Sequence, residues 1–274
     1  MTADATSLPG SGIRREWQRF TPRQRLARYA FYLLAVAALV QSVRSVEIIP
    51  EFLADAPEQV VDLFARMWPI DWGYYPSTVH AALIETMHIA TLGTVLALIM
   101  AVPVGLMAAT NITRWPALRL FAKFILVSSR SVNSLVWALL FVAIFGPGGL
   151  AGTLAIAFRS IGFVGKLLAE ALEEAHKGPV EALTATGAPW ITVILKAYWP
   201  QVQPSFWSIA LFRWDINIRE SAVLGLVGAG GIGMALDDAL NLLYWDQVAL
   251  TLLTIFAVVI AAEIIVTFIR SRII

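Results

Sequence analysis

The chain has 274 residues, 58% of them hydrophobic and only 14% charged, with a mean hydropathy of +0.73 and a formal net charge of +1. Soluble domains carry about 25% charged residues, so this chain has too few to cover a water-soluble globule of its size, and a lipid bilayer is its expected surrounding. The absence of cysteine excludes disulfide frameworks, cysteine-ligated metals and thiol catalysis, and the near-neutral charge gives no argument for a nucleic-acid partner.

In chain order, residues 1–28 form a basic segment with Arg14, Arg15, Arg19, Arg23, Arg25 and Arg28. The apolar run that follows, Tyr29 to Val43, is read as a membrane helix rather than a signal peptide. Gln41, Ser42 and Arg44 make a poor cleavage neighbourhood, and further spans follow. A helix needs about 20 apolar residues to cross the hydrocarbon core. By that measure six spans are predicted, at about 28–46, 79–111, 122–145, 149–173, 201–226 and 246–269. Backbone groups must be satisfied inside the bilayer, so helices are the expected spanning element. No Asp, Glu, Lys or Arg occurs from Thr86 to Thr113, and none from Ser131 to Phe158. The second stretch is too long for one crossing and is broken at Gly146-Pro147-Gly148-Gly149, which predicts two helices joined by a tight turn.

Three parts follow: the segment 1–28, a first span with an extracytoplasmic loop over 29–78, and a transmembrane domain over 79–274. Loop charge orients them. The loop after the first span carries Glu47, Glu51, Asp55, Glu58, Asp62 and Asp71 against Arg44 and Arg66. The next carries Arg114 and Arg119, and the last loop carries Asp237, Asp238 and Asp246 before a tail with Arg270 and Arg272. The positive-inside rule then puts both termini in the cytoplasm. Trp68, Trp72, Tyr74 and Tyr75, just before the second span, suit either an aromatic belt at the membrane interface or packing of the loop on the bundle.

The segment from Gly178 to Pro200 reads GPVEALTATGAPWITVILKAYWP. Pro179 suits a first helical turn, and Glu181 near that helix N-terminus is at the end favourable for an anion. Gly187 can take the left-handed conformation that closes a helix, and Pro189 prevents continuation. The product is a short cytoplasmic helix, a sharp turn and a second helix returning to the membrane at Pro200.

On these residues the chain resembles the permease subunits of binding-protein-dependent ABC importers. Glu181-Ala182-Leu183, three residues, Gly187, nine residues and Ala197-Tyr198-Trp199-Pro200 is similar to the family's EAA loop, with Leu183, Ala197 and Trp199 in place of Ala, Ile and Leu. Further segments resemble the phosphonate branch: Arg130-Ser131-Val132-Asn133 with Trp137 to Val142, Gly165-Lys166 with Glu170, Asn217-Ile218-Arg219, and the run Val223 to Gly233. The likeness covers about Val79 to Ile274. Two departures are Ser134, where the branch has a glutamate after Asn133, and Arg159, where it often has a histidine.

The resemblance implies an all-α fold: a type I importer core of five helices with a cytoplasmic coupling helix, plus one peripheral N-terminal helix. It implies that Glu181, Ala182, Leu183, Gly187 and Pro200 belong to the ATPase-coupling loop. It implies a homodimer in a bacterial plasma (inner) membrane, two ABC ATPase subunits, an extracytoplasmic phosphonate-type binding protein and import by alternating access. The alternative is a stand-alone secondary transporter or channel for a small anion, which leaves the helix–glycine–turn–helix loop unexplained.

Two motifs are set aside. Gly228-Ala229-Gly230-Gly231-Ile232-Gly233 fits a dinucleotide fingerprint, but it lies between membrane helices instead of in a strand–helix–strand unit. Gly228, Gly230, Gly231 and Gly233 are instead assigned to a helix break at the outer mouth, where non-helical backbone must face protein or water. Gly165-Lys166 fails as a phosphate loop because Ser160 and Leu167 stand where Gly and Ser or Thr belong. The chain is therefore read as a transport subunit with no ATP site, cofactor or enzymatic activity of its own. His80 and His88 could share a helix face but have no third ligand, so no metal is expected.

Charges inside spans are costly, about 2.5–3.5 kcal/mol each on insertion scales, and usually face a bundle interior or a watery cavity. Arg130, Asn133, Arg159, Arg213, Asn217 and Arg219 are the candidate translocation path, since a planar guanidinium can donate two hydrogen bonds at once to a tetrahedral oxyanion. The other role for each arginine is a structural ion pair, for instance Arg213 with Asp215 or Arg219 with Glu220. Sequence neighbours point to different faces of a helix, which favours pairs between helices. Glu85 is a further acid in a span. The topology is tested with reporter fusions: those after Val60 and Leu240 are expected to read outside, and those after Trp115, Ala185 and Ile274 inside. A cytoplasmic signal at Val60 would overturn the orientation.

Overall fold

A computed structural model describes residue 20, residues 22–46 and residues 50–273. Most of the basic N-terminal segment, including Arg14, Arg15 and Arg19, lies outside the described residues. The chain divides into two units, residues 1–61 and 62–274. The first contains α1 (Pro22–Ser45), whose 24 residues suffice for a crossing. It also contains most of α2 (Pro50–Arg66). That second helix replaces the loop expected there. Leu53, Ala56, Val60 and Phe64 recur at helical spacing, and the surrounding acids mask the pattern in a hydropathy reading.

The second unit is a helical bundle. A π-helical turn (Tyr75–Val79) leads into α3 (His80–Ala108), followed by α4 (Pro116–Ser131), α5 (Ser134–Phe145) and α6 (Gly149–Glu173). Then come α7 (Lys177–Ala185), α8 (Trp190–Val193), a π-helical turn (Ile194–Tyr198), α9 (Trp199–Leu224), α10 (Ile232–Asn241) and α11 (Trp245–Ile273). Among the described residues, five helical segments are long and apolar enough to cross a membrane, and six if α4 and α5 form one broken span.

That pair corrects one expectation. The continuous span predicted over 122–145 is bent by 91° between α4 and α5. Val132 and Asn133 are extended, and the Asn133 side chain caps α5 by accepting the Leu135 N–H at 3.1 Å. An asparagine whose side chain takes an orphan amide starts a new helix axis. A hydropathy window sees only one apolar stretch.

Helix α6 runs through the middle of the unit and packs on α3, α4, α5 and α9. Its approach to α3 depends on small side chains. Gly93, Ala97, Ala101 and Gly105 repeat every four residues along one buried face of α3, which brings backbones together as small residues do in membranes. The outer surface is the reverse of a soluble protein's. Phe256, Ile260, Ile264 and Phe268 of α11 are exposed, as are Leu120, Phe121 and Phe124 of α4, as lipid contact requires.

The connections gather at two ends. At one, the Thr110 N–H donates to Glu173 at 2.7 Å, the Asn111 amide to the Leu172 carbonyl at 2.6 Å, and the His176 N–H to Gln201 at 2.9 Å. At the other, the two glycine-rich turns meet. Gly146 and Gly148 have positive φ, as do Gly228, Gly230 and Gly231, and the Gly148 N–H donates to the Gly228 carbonyl at 2.8 Å. A Cβ at Gly152 would overlap the Ala229 carbonyl oxygen. Thr86 holds the second turn, its hydroxyl accepting the Ile232 N–H at 2.7 Å. Of the four aromatics before the second span, Trp68 and Trp72 are exposed, as an interfacial belt requires, while Tyr74 packs beside Val79 and Ile70.

Gly152→Val should drive the two glycine turns apart, at an overpacking cost of about 1–3 kcal/mol. A lowered melting temperature of the purified protein is expected. Gly178→Ala, where an added Cβ meets nothing within 4 Å, should melt like the parent. Equal melting of all three proteins would refute this packing.

Candidate functional site

The predicted helix–turn–helix is present. Helix α7 ends at Ala185, Gly187 has φ +75°, and the chain re-enters through α8 at Trp190. The helix has one anchored side, because Val180 and Leu183 pack, half-buried, against the core that contains Val193, Ala197 and Tyr198. Glu181 and Ala182 are exposed, and no residue of α7 is buried. Pro200 has no N–H to give a preceding carbonyl, and the turn before it is wound as a π-helix. The Gln201 side chain donates to the Ala197 carbonyl at 2.6 Å and accepts the His176 N–H, which ties the start of α9 to the start of α7. The loop is thus a hydrogen-bonded bracket that presents an exposed helix carrying Glu181.

The intramembrane arginines separate into three environments. Arg213 is 4% exposed. Its Nε donates to Ser160 Oγ at 2.8 Å, a terminal nitrogen reaches Glu220 Oε2 at 3.3 Å, and its guanidinium carbon lies 5.6 Å from the centre of the Phe163 ring. Arg159 of α6 pairs with the other oxygen of the same carboxylate, Glu220 Oε1, while its own Nε is buried without a hydrogen-bond partner. Asn217 is fully buried; it accepts from Ser160 Oγ at 3.3 Å and donates to Thr94 Oγ1 of α3 at 2.7 Å. One polar network therefore joins α3, α6 and α9, with two guanidiniums around a single carboxylate.

Arg219 lies apart from this network. At 100° per residue, Arg213, Asn217 and Glu220 share one face of α9, whereas Asp215 and Arg219 fall roughly opposite. Arg219 pairs with Asp215 four residues earlier, and Asp215 Oδ1 is buried without a partner. The in-helix pairs offered from sequence, Arg213 with Asp215 and Arg219 with Glu220, are exchanged: positions two or one apart face different ways, while those four or seven apart align. Arg130 is the third environment. It lines a cleft of about 250 Å³ with Lys123, Lys166, Glu170 and Glu173. There Lys166 pairs with Glu170 at 3.2 Å and Glu173 takes the Thr110 amide, leaving Arg130 and Lys123 without a carboxylate partner. Asn133 is the cap of α5 and is exposed at the bend.

Sequence reasoning missed Glu220, Ser160 and Thr94 as site members. The spacing of seven between Arg213 and Glu220 was a usable signal. The distances of 53 to 123 residues that separate Ser160 and Thr94 from their α9 partners carry none.

Comparison with known proteins completes the picture. Residues 101–274 match the family described as binding-protein-dependent transport system inner membrane component. The phosphate-import permease protein PhnE of Mycolicibacterium smegmatis is 40% identical over 226 residues, 82% of this chain but only 42% of that protein. The phosphite transport system permease protein PtxC of Stutzerimonas stutzeri is 40% identical over 200 residues, 73% of this chain and 72% of that one. Among solved structures, an amino acid ABC transporter aligns with a TM-score of 0.62 at 18% identity, covering 74% of this chain and 99% of the other. The inward-facing MetNI methionine ABC transporter aligns with the same score at 21% identity, covering 72% and 96%; both likenesses speak to the fold alone. A bundle with a bracketed, solvent-facing helix at one end, aligned in sequence over most of its length, belongs to the binding-protein-dependent transport system inner membrane component family.

Proposed function

We propose that the chain is the permease subunit of an ATP-driven importer for phosphonate, phosphite or a related phosphorus oxyanion. It works as a homodimer with two ABC ATPase subunits and an extracytoplasmic binding protein, in a bacterial inner membrane with both termini in the cytoplasm. The observation that carries the substrate class is the excess of guanidinium over carboxylate inside the bundle: Arg159 and Arg213 share Glu220 alone. Net positive charge away from water is costly, and an anion in transit relieves it. The names of the relatives, phosphate-import and phosphite transport permeases, support the same class.

In this reading the path passes Arg159, Arg213 and Asn217. Arg130 stands nearer the α7 end, Asn133 at the bend of the third span, and Arg219 on the far flank of α9. The glycine break at Gly228, Gly230, Gly231 and Gly233 forms the outer gate. ATP-driven closure of the ATPases draws the two α7 helices together, and the bracket through Gln201 passes that motion to α9. Tight binding belongs to the extracytoplasmic protein, since a strongly binding path would slow release.

Uptake by membrane vesicles containing permease, ATPase and binding protein tests the substrate class. Phosphite, hypophosphite, methylphosphonate and phosphate are compared with sulfate, and ATP-dependent uptake of at least one phosphorus anion is expected. Uptake of none of them, or uptake without the ATPase, would refute the reading. The coupling role is tested separately. Gly187→Val forces a β-branched residue to φ +75° with nothing nearby to clash, so the local strain of about 1–3 kcal/mol falls on the turn alone. Gly187→Val and Glu181→Lys should each lower ATPase co-purification and cut uptake several-fold. Normal co-purification and full uptake in both would dismiss α7 as the coupling element.

A further inference from the structure

The carboxylate between the two arginines is placed as a substrate oxyanion would be. Glu220 gives one oxygen to Arg159 and the other to Arg213. A phosphorus oxyanion offers the same bridge through two of its oxygens, and guanidinium groups bind carboxylate and phosphate oxygens with one geometry. The buried Nε of Arg159, which has no hydrogen-bond partner, is a donor left over for a further oxygen that Glu220 does not have.

The members differ in freedom. Arg213 is fixed: its side chain is 4% exposed, hydrogen-bonded to Ser160 and set against Phe163. Arg159 and Glu220 are at the open rim, with side chains 29% and 17% exposed. The pair at the rim is therefore reachable from outside the network, and Glu220 can leave without unpacking the Ser160–Asn217–Thr94 chain behind it.

We propose that Glu220 is an internal stand-in for the transported anion. It holds the two guanidiniums while the path is empty and is displaced when a tetrahedral phosphorus oxyanion bridges Arg159 and Arg213. The inference rests on the proposed import function and deepens it. It explains how a path can carry a two-arginine site without trapping its cargo: every anion must compete with a carboxylate already present, which lowers its affinity, and the returning carboxylate helps expel it.

The test uses the assembled transporter with inorganic phosphite as probe and sulfate and chloride at equal ionic strength as controls. A ligand that binds only the folded state raises its melting temperature according to its concentration and affinity. Removing the competitor by Glu220→Gln should lower the phosphite concentration for half-maximal stabilisation at least tenfold, with a weaker response to chloride. Uptake should show a lower KM together with a lower turnover, a split that a purely structural role does not produce. Glu220→Asp, one methylene shorter and so set back from both arginines, should give a smaller shift, about threefold. The double variant Arg159→Gln with Glu220→Gln should lose the phosphite response. Unchanged phosphite midpoints in both single variants, equal gains with chloride, or failure of both single variants to assemble would overturn the proposal. If the parent imports phosphite while the midpoints do not move, the displacement idea alone fails. If Glu220→Gln gains phosphite affinity but the parent imports none of the panel, the anion site stands and the import reading fails.

Discussion

In a bilayer no hydrophobic force draws one helix to another, because the lipid is as apolar as the side chains; association rests on close contact and on polar groups that find partners. Helix α6 meets both demands. Gly162 lies against the Leu126 backbone of α4, and a Cβ at Gly105 of α3 would come within 3.0 Å of the Gly165 carbonyl. With backbones this near, Ser129 Oγ can donate to the Phe158 carbonyl while accepting the Gly162 N–H at 3.0 Å. The same approach brings Arg159 and Ser160 within reach of α9. The site exists because the helix that carries half of it is held backbone to backbone by its neighbours.

The polar residues divide by consequence. Thr86, Thr94 and Thr153 spend their hydroxyls partly on carbonyls four residues earlier in their own helices, a local solution that any helix permits. Arg159, Arg213 and Arg219 find their carboxylates by helix register or across the bundle. Asp215 with Arg219 is balanced in formal charge. Arg159, Arg213 and Glu220 are not: two guanidiniums share one carboxylate.

The loop between α7 and α8 and the glycine turns lie at opposite ends and share a construction. Each is a helix stopped by a residue in the left-handed region and held by a few fixed hydrogen bonds. Gly187 has open space around it, so its conformation alone sets the turn. The glycine turns are packed: Gly230 and Gly149 approach within the space of one added methyl group, with a Glu85 carboxylate oxygen alongside.

The amino-acid sequence by itself determined the membrane class, the breaks at Gly146 to Gly149 and at Gly228 to Gly231, and the turn at Gly187. These are local quantities: apolar run length, charge, and the φ values that only glycine takes without strain. It could have yielded α2 as well, whose spacing is helical beneath its acids. Only the tertiary structure decided that α4 and α5 meet at 91°, that the two glycine turns touch, and that Glu220 belongs to Arg159 and Arg213 instead of its neighbour Arg219. An apolar run records how far a chain stays in lipid and says nothing of its direction. A charge's partner is set by helix register and by which helices pack together, and neighbours in sequence on a helix point away from one another.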